Sequence, residues 1–171
     1  MSNGNPSEQP APDKPEETSL AHSIDMLSAL NLKSLPGGVY TSLDVRTPAD
    51  RRILYSAVMG DSKEASDVLN TDLSVVHVVF TQASAINPDT SKRDHWIRTI
   101  LLLADGGQVA FGSQGILKSL GFYALCVAPP PWNPPARMRL KSEQIGRNRW
   151  YTLEAVEDAD QPLPTGKRPK A

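Results

Sequence analysis

WIRTILLLADGGQVAFGSQGILKSLGFYALCVAPPPWNPPARMRLKSEQIGRNRWYTLEAV, residues 96–156, is the stretch that decides how this chain folds. At its start Ile97, Thr99, Leu101 and Leu103 share one strand face, and Trp96, Arg98, Ile100 and Leu102 share the other. Asp105-Gly106-Gly107 supplies the positive-φ residues of a tight hairpin, and Gln108–Phe111 returns as a further strand. Ser113 is placed to cap a helix over residues 114–124, with Ile116, Leu117, Leu120 and Tyr123 on its apolar side. The run from Pro129 to Pro135 is too stiff for a helix and lacks the donors of a central strand, so it reads as a crossing segment anchored by a buried Trp132. Ala136, Met138 and Leu140 then alternate with Arg137, Arg139 and Lys141. A turn near Gln144–Gly146 leads to a last strand over Asn148–Val156.

Working outward, the Val-rich run Leu73–Gln82 places one more strand in front, followed by a polar loop over Ser84–Asp94. The order becomes β-β-β-α-β-β, that of a five-stranded OB-like barrel over residues 72–156. Residues 19–71 read as a helical extension packed on that barrel. Leu20, Ile24, Leu27, Leu30 and Leu32 recur near helical spacing, and Lys33 to Gly38 ends that helix. Thr47-Pro48-Ala49-Asp50 marks a second helix start by cap, first-turn proline and first-turn acid, and Ile53, Leu54, Ala57 and Val58 form its stripe. One more helical turn falls within Ser62–Asn70. Residues 1–18 and 157–171 are polar and Pro-rich, the composition of disordered tails. The expected class is therefore mainly β with α: the barrel, one or two short helices before it, and tails.

Across 171 residues the formal net charge is only −1, but it is unevenly spread. Residues 1–91 carry 6 Lys/Arg against 12 Asp/Glu, whereas residues 92–151 carry 9 against 3. A near-neutral chain thus holds a basic segment suited to a polyanion. Cys126 is the single cysteine; it excludes an intrachain disulfide, and its apolar context predicts a buried thiol. The N-terminus lacks the pattern of a secretory signal and no apolar run is long enough for a membrane helix, which points to the cytoplasm, a bacterial host's if the protein is viral. His22, His77 and His95 lack metal-ligand spacing, and there is no phosphate loop or nucleophile elbow. Neither cofactor nor catalysis is expected.

In an OB barrel the ligand lies across the second and third strands, flanked by the first–second and fourth–fifth loops. That scheme puts Lys92, Arg93, His95 and Trp96 at the first loop and Arg98 on the second strand. Arg137, Arg139 and Lys141 share the polar face of the fourth strand, and Arg147, Arg149 and Trp150 follow at the second loop. Cations there would contact phosphates, and Trp96, Trp150 or Tyr151 would stack on bases. Trp150 and Tyr151 point to opposite faces, so at most one of them serves. The alternative is an ordinary solvated strand face, or a phage structural or protein-interaction module using a barrel edge or the Pro-rich segment.

Thr41-Ser42-Leu43-Asp44, Tyr55-Ser56-Ala57, Arg98 to Leu102, Asp105-Gly106, Ser113 to Leu120, Pro130-Pro131-Trp132 and Tyr151-Thr152-Leu153 occur in that order. Together they resemble the small single-stranded DNA-binding proteins of bacteriophages and related mobile elements, over roughly residues 39–156. The resemblance implies an OB-like, non-enzymatic protein that coats single strands during viral DNA replication without sequence specificity. The partners so implied are single-stranded DNA, with replication proteins and further copies of the chain as candidates, and no membrane. The chain departs from the acidic end usual in bacterial single-strand binders: it closes on Gly166-Lys167-Arg168-Pro169-Lys170-Ala171, which argues against tail-mediated recruitment of that kind.

Overall fold

The computed structural model of the chain describes residues 27–156. After a helical turn at residues 27–29 come β1 (Lys33–Leu35), β2 (Val39–Thr41), α1 (Pro48–Met59) and a 3-10 turn (Ala65–Val68). Then follow β3 (Asp72–Ile86), β4 (Arg93–Leu103), β5 (Gln108–Phe111), α2 (Gln114–Cys126), β6 (Ala136–Ile145) and β7 (Asn148–Ala155). The seven strands form one antiparallel sheet in the order β1-β2-β3-β4-β5, with β6 on β3 and β7 on β6. No pairing joins β5 to β7, so the sheet stays open.

The mainly-β class with helices stands, but the expected closed five-stranded barrel does not describe this sheet. The two extra strands, β1 and β2, lie in the stretch expected to be helical. Each is only three residues long, too short for a period to show. Gly37 and Gly38, at φ +82° and +71°, form the turn between them instead of ending a helix. Their strand character comes from a partner far along the chain, since Tyr40 pairs with Phe80.

β3 organises the sheet. Its ladder to β4 shifts between Val75 and His77, so that Val76 is an extra residue bulged out of register. The bulge changes which residues point inward: Leu73 and Val75 before it, Val78 and Phe80 after it. Along its other edge, β6 pairs with residues 72–75 and β2 with residues 79–81. β3 and β4 also continue to the pair Ile86–Arg93, which turns five of the eleven residues of the expected loop at Ser84–Asp94 into ladder and leaves residues 87–92 as the turn.

The inner face of the sheet closes on α2 through Val78, Phe80, Leu101, Val109, Ile116, Leu120, Met138 and Leu140, all fully or nearly fully buried. A second, smaller layer lies on the outer face, where α1 sets Ala57, Leu54 and Val58 against Val79, Ile100 and Leu102. α1 begins as its sequence signals require: the Thr47 hydroxyl accepts from the Asp50 amide at 3.1 Å, with Pro48 in the first turn. Asp105-Gly106 makes the β4–β5 turn with Gly106 at φ +84°, and Gly146-Arg147 makes the β6–β7 turn with Gly146 at φ +62°.

Trp132 anchors the crossing segment, as its setting suggested. It is 5% exposed, its indole donates to the Ala128 carbonyl at 2.8 Å, and it meets Tyr123 edge-on at 5.6 Å. Its backbone N–H donates to the carbonyl of Val76, the bulged residue. Cys126 corrects an expectation: it is exposed at the end of α2, because the helix runs two residues beyond 124 and turns the thiol outward. The helix expected over Leu20–Leu32 falls mostly outside the described residues, and both expected tails fall wholly outside them. No helix among the described residues is long and apolar enough to cross a membrane.

Gly115 sits in the first turn of α2 so close to the Tyr151 carbonyl of β7 that a methyl group would collide with backbone. Gly115→Ala is expected to destabilise the fold by about 1–3 kcal/mol, the usual cost of overpacking a rigid contact. Urea unfolding of the two proteins, compared at equal m-value, measures this; an unchanged midpoint would contradict the contact.

Candidate nucleic-acid interface

Where β5 and β7 fail to pair, the surface opens into a groove of about 850 Å³. One wall is β7 over residues 148–151. The other is the end of β5, the start of α2 and the segment Ser62–Ser66 that follows α1, with Trp96 and Arg98 of β4 between them. At one end the seam is closed by α2. There the Ser113 hydroxyl donates to the Tyr151 carbonyl at 3.3 Å and the Leu153 amide donates to the Ser119 hydroxyl at 3.1 Å. Ser113 stands at the expected cap position, yet its side chain makes this bond to β7 and no cap bond.

Three cations line the groove, Lys63, Arg98 and Arg149, against one carboxylate, Glu64. Arg98 projects from the outer face of β4 just past the end of α1. Its guanidinium reaches the Val58 carbonyl and the Ser62 hydroxyl, both at 3.5 Å. A cation at a helix C-terminus is favourably placed, and the contact fixes the long side chain against the groove wall. Lys63 is held by its backbone: its N–H donates to the Gln108 carbonyl and its carbonyl accepts from the Ala110 amide, both at 3.0 Å. The Gln108 amide group adds bonds to the Asp61 carbonyl at 2.8 Å and the Ser62 hydroxyl at 3.0 Å. These bonds hold the backbone of Lys63 and the guanidinium of Arg98 in place.

Trp96 and Trp150 supply aromatic surface from different strands. Trp96 lies beside Gly112, where an added Cβ would press on the indole edge at 3.3 Å, so glycine lets the ring approach the backbone closely. Trp150 is 45% exposed, whereas Tyr151 packs against the main core. The two point to opposite faces, as the alternation required, and Trp150 is the one free to stack. Phe80 and Phe111 are core residues.

Of the residues singled out from sequence, Trp96, Arg98, Arg149, Trp150 and Tyr151 come together here. The others do not line the groove. Lys92 and Arg93 sit at the β3–β4 tip, where Arg93 donates to the Ser84 hydroxyl at 3.0 Å. Arg147 forms the β6–β7 turn. Arg137 and Arg139, on β6, meet Asp72 of β3 at 3.3 and 2.6 Å, and Lys141 meets Glu154 of β7 at 3.6 Å. The pairing with Arg139 holds the Asp72 carboxyl below its ordinary range. These cations are partly committed to carboxylates on neighbouring strands, which the alternation along β6 alone could not reveal. Lys63 was missed because nothing local marks it; its place depends on a bridge to β5 more than forty residues away.

A different polar group lies on the α1 side of the sheet. The Ser42 hydroxyl stands 3.2 Å from His77 Nδ1, and Asp50 is near enough to act on that ring. The trio has the residue types of a nucleophilic triad, but its geometry serves structure. Ser42 is buried, its oxygen accepts the Val78 amide at 3.0 Å, and its own amide donates to the Val78 carbonyl. Among the described residues no three His, Cys, Asp or Glu side chains are grouped so as to hold a metal.

Burial pushes the pKa of His77 below its ordinary value near 6.5, against the opposing pull of Asp50 and Ser42. Below that pH the unfolded chain binds a proton that the folded chain resists. Stability should be full above about pH 6.5 and decline as the pH falls through that value. Thermal unfolding of wild type and His77→Gln across pH 5–8 checks this, since the substitution should remove that share of the acid slope. No protein-family model, curated protein or solved structure matches the chain.

Proposed function

We propose that this chain is a non-catalytic protein that binds single-stranded DNA without sequence specificity in the groove between β5 and β7. One observation carries the reading: two tryptophans on different strands and three cations against a single carboxylate share one open groove of about 850 Å³. An extended strand offers a regular row of phosphates and a face of unpaired bases. Cations binding phosphates release counterions, and each base stacked on an aromatic ring contributes about 1–3 kcal/mol. Neither interaction reads sequence.

The scaffold supports the same reading. The succession β3-β4-β5-α2-β6-β7, with β6 on β3 and β7 on β6, is the order of an OB barrel left open at its last seam. In that scheme the groove borders the second and third strands at Trp96, Arg98 and Ala110, beside the face with which such barrels hold their ligands. The resemblance to phage and mobile-element proteins extends the proposal to coating single strands during DNA replication, with replication proteins as further partners.

A second reading, a protein-interaction module, is favoured by one feature. Phe122, Leu125 and Val127 stand exposed near the end of α2, beside the Pro-rich crossing. Titration with oligo-dT at two salt concentrations separates the two. Tryptophan fluorescence should be quenched at low salt and recover as salt rises, with buried Trp132 contributing an unquenched remainder. Trp150→Ala should weaken binding by about 1–3 kcal/mol with little change in salt slope, whereas Arg149→Ala should flatten the slope by about 0.7. No response to oligo-dT at low salt would overturn the DNA reading.

A further inference from the structure

We infer that the bound strand leaves the groove over the outer face of α1, and that Arg52 and Tyr55 form a second contact patch for it. The inference rests on the reading of the groove as a single-strand site and names where that strand continues. Arg52, Tyr55 and Met59 are spaced by three and four residues, so they form one stripe of the helix. The stripe faces away from Leu54, Ala57 and Val58, which pack on the sheet. Tyr55 is 70% exposed and Met59 68%, large apolar surfaces left in water on a helix whose other side is fully used. Such an exposed aromatic beside a cation has the chemistry of the groove itself: a ring for a base and a guanidinium for a phosphate.

Continuity joins the two patches. The segment that leaves α1, Ser62 to Ser66, is part of the groove wall, and it is tied to the helix end because Arg98 reaches both the Val58 carbonyl and the Ser62 hydroxyl while Gln108 bonds Asp61 and Ser62. Lys63, which lines the groove, follows Met59 by four residues. The partial negative charge at the end of the helix would repel a phosphate at this crossing, and the Arg98 guanidinium covers it. The charge also fits. Arg51 and Arg52 make no ion pair among the described residues, and Asp50, the acid of the helix, is turned to the sheet side where it accepts from the Asp44 amide at 2.9 Å. The stripe from Arg52 to Met59 spans about 10 Å along the helix, enough to engage further nucleotides beyond the groove.

Length dependence tests this. Binding of labelled oligo-dT of about 6 and about 16 nucleotides, within the range of single-barrel sites, is followed by fluorescence anisotropy. Tyr55→Ala and Arg52→Gln should each weaken the longer strand about tenfold and leave the shorter one unchanged. Arg52→Gln should also flatten the salt slope for the longer strand by about 0.7. Phe122→Ala, on the exposed face of α2, should alter neither, and unchanged unfolding temperatures establish that the variants are folded. If the wild type binds the strands and both α1 variants match it at both lengths, the second patch is overturned while the groove stands. If the wild type binds neither strand, the groove reading falls and this one with it.

Discussion

The bulge at Val76 is the constraint on which the rest of the sheet depends. One extra residue in β3 reverses which of its side chains face inward, so that Leu73 and Val75 on one side of it and Val78 and Phe80 on the other all reach the same core. It also divides the second edge of β3 between two partners, β6 before the bulge and β2 after it. The bulged carbonyl is taken by the Trp132 amide, so the Pro-rich segment is tied to the point where the strand bends. Without that local break, a fifteen-residue strand of regular pleat would point half of these side chains to the wrong face.

The open seam follows from how α2 is seated. Its first turn lies against the Tyr151 carbonyl, a contact only glycine permits at position 115. Two serines, 113 and 119, take up β7 edge groups that a neighbouring strand would otherwise use. β5 is likewise occupied on its outer edge by the backbone of Lys63. Both edges are therefore blunted by polar partners, which protects them from pairing with other chains while leaving a groove between them. The feature that keeps the sheet from closing is the same one that creates the candidate site.

Charge was legible as a quantity but not as an arrangement. The excess of Lys and Arg in residues 92–151 is plain in the sequence. Which of them face an unoccupied surface depends on strand neighbours. Arg137 and Arg139 lie beside Asp72, and Lys141 beside Glu154, while Arg98 and Arg149 border the groove. Surface pairs of this kind contribute little to stability, yet each occupies a cation that a ligand would otherwise meet.

By itself the sequence determined the local units. The Asp-Gly turn, the capped start of α1, the α2 stripe and the alternation of Trp150 with Tyr151 all rest on interactions within a few residues. Such interactions leave a readable period or a turn signature. The short strands β1 and β2, the bulge, the exposed Cys126, the open seam and the place of Lys63 in the groove depend on long-range contacts. Each of these is fixed by a partner distant in sequence or by where a helix comes to rest: Phe80 for Tyr40, Asp72 for Arg139, Val109 for Lys63, Tyr151 for Gly115. Pairing across the sheet depends on register and curvature, and no local pattern of side chains carries that information.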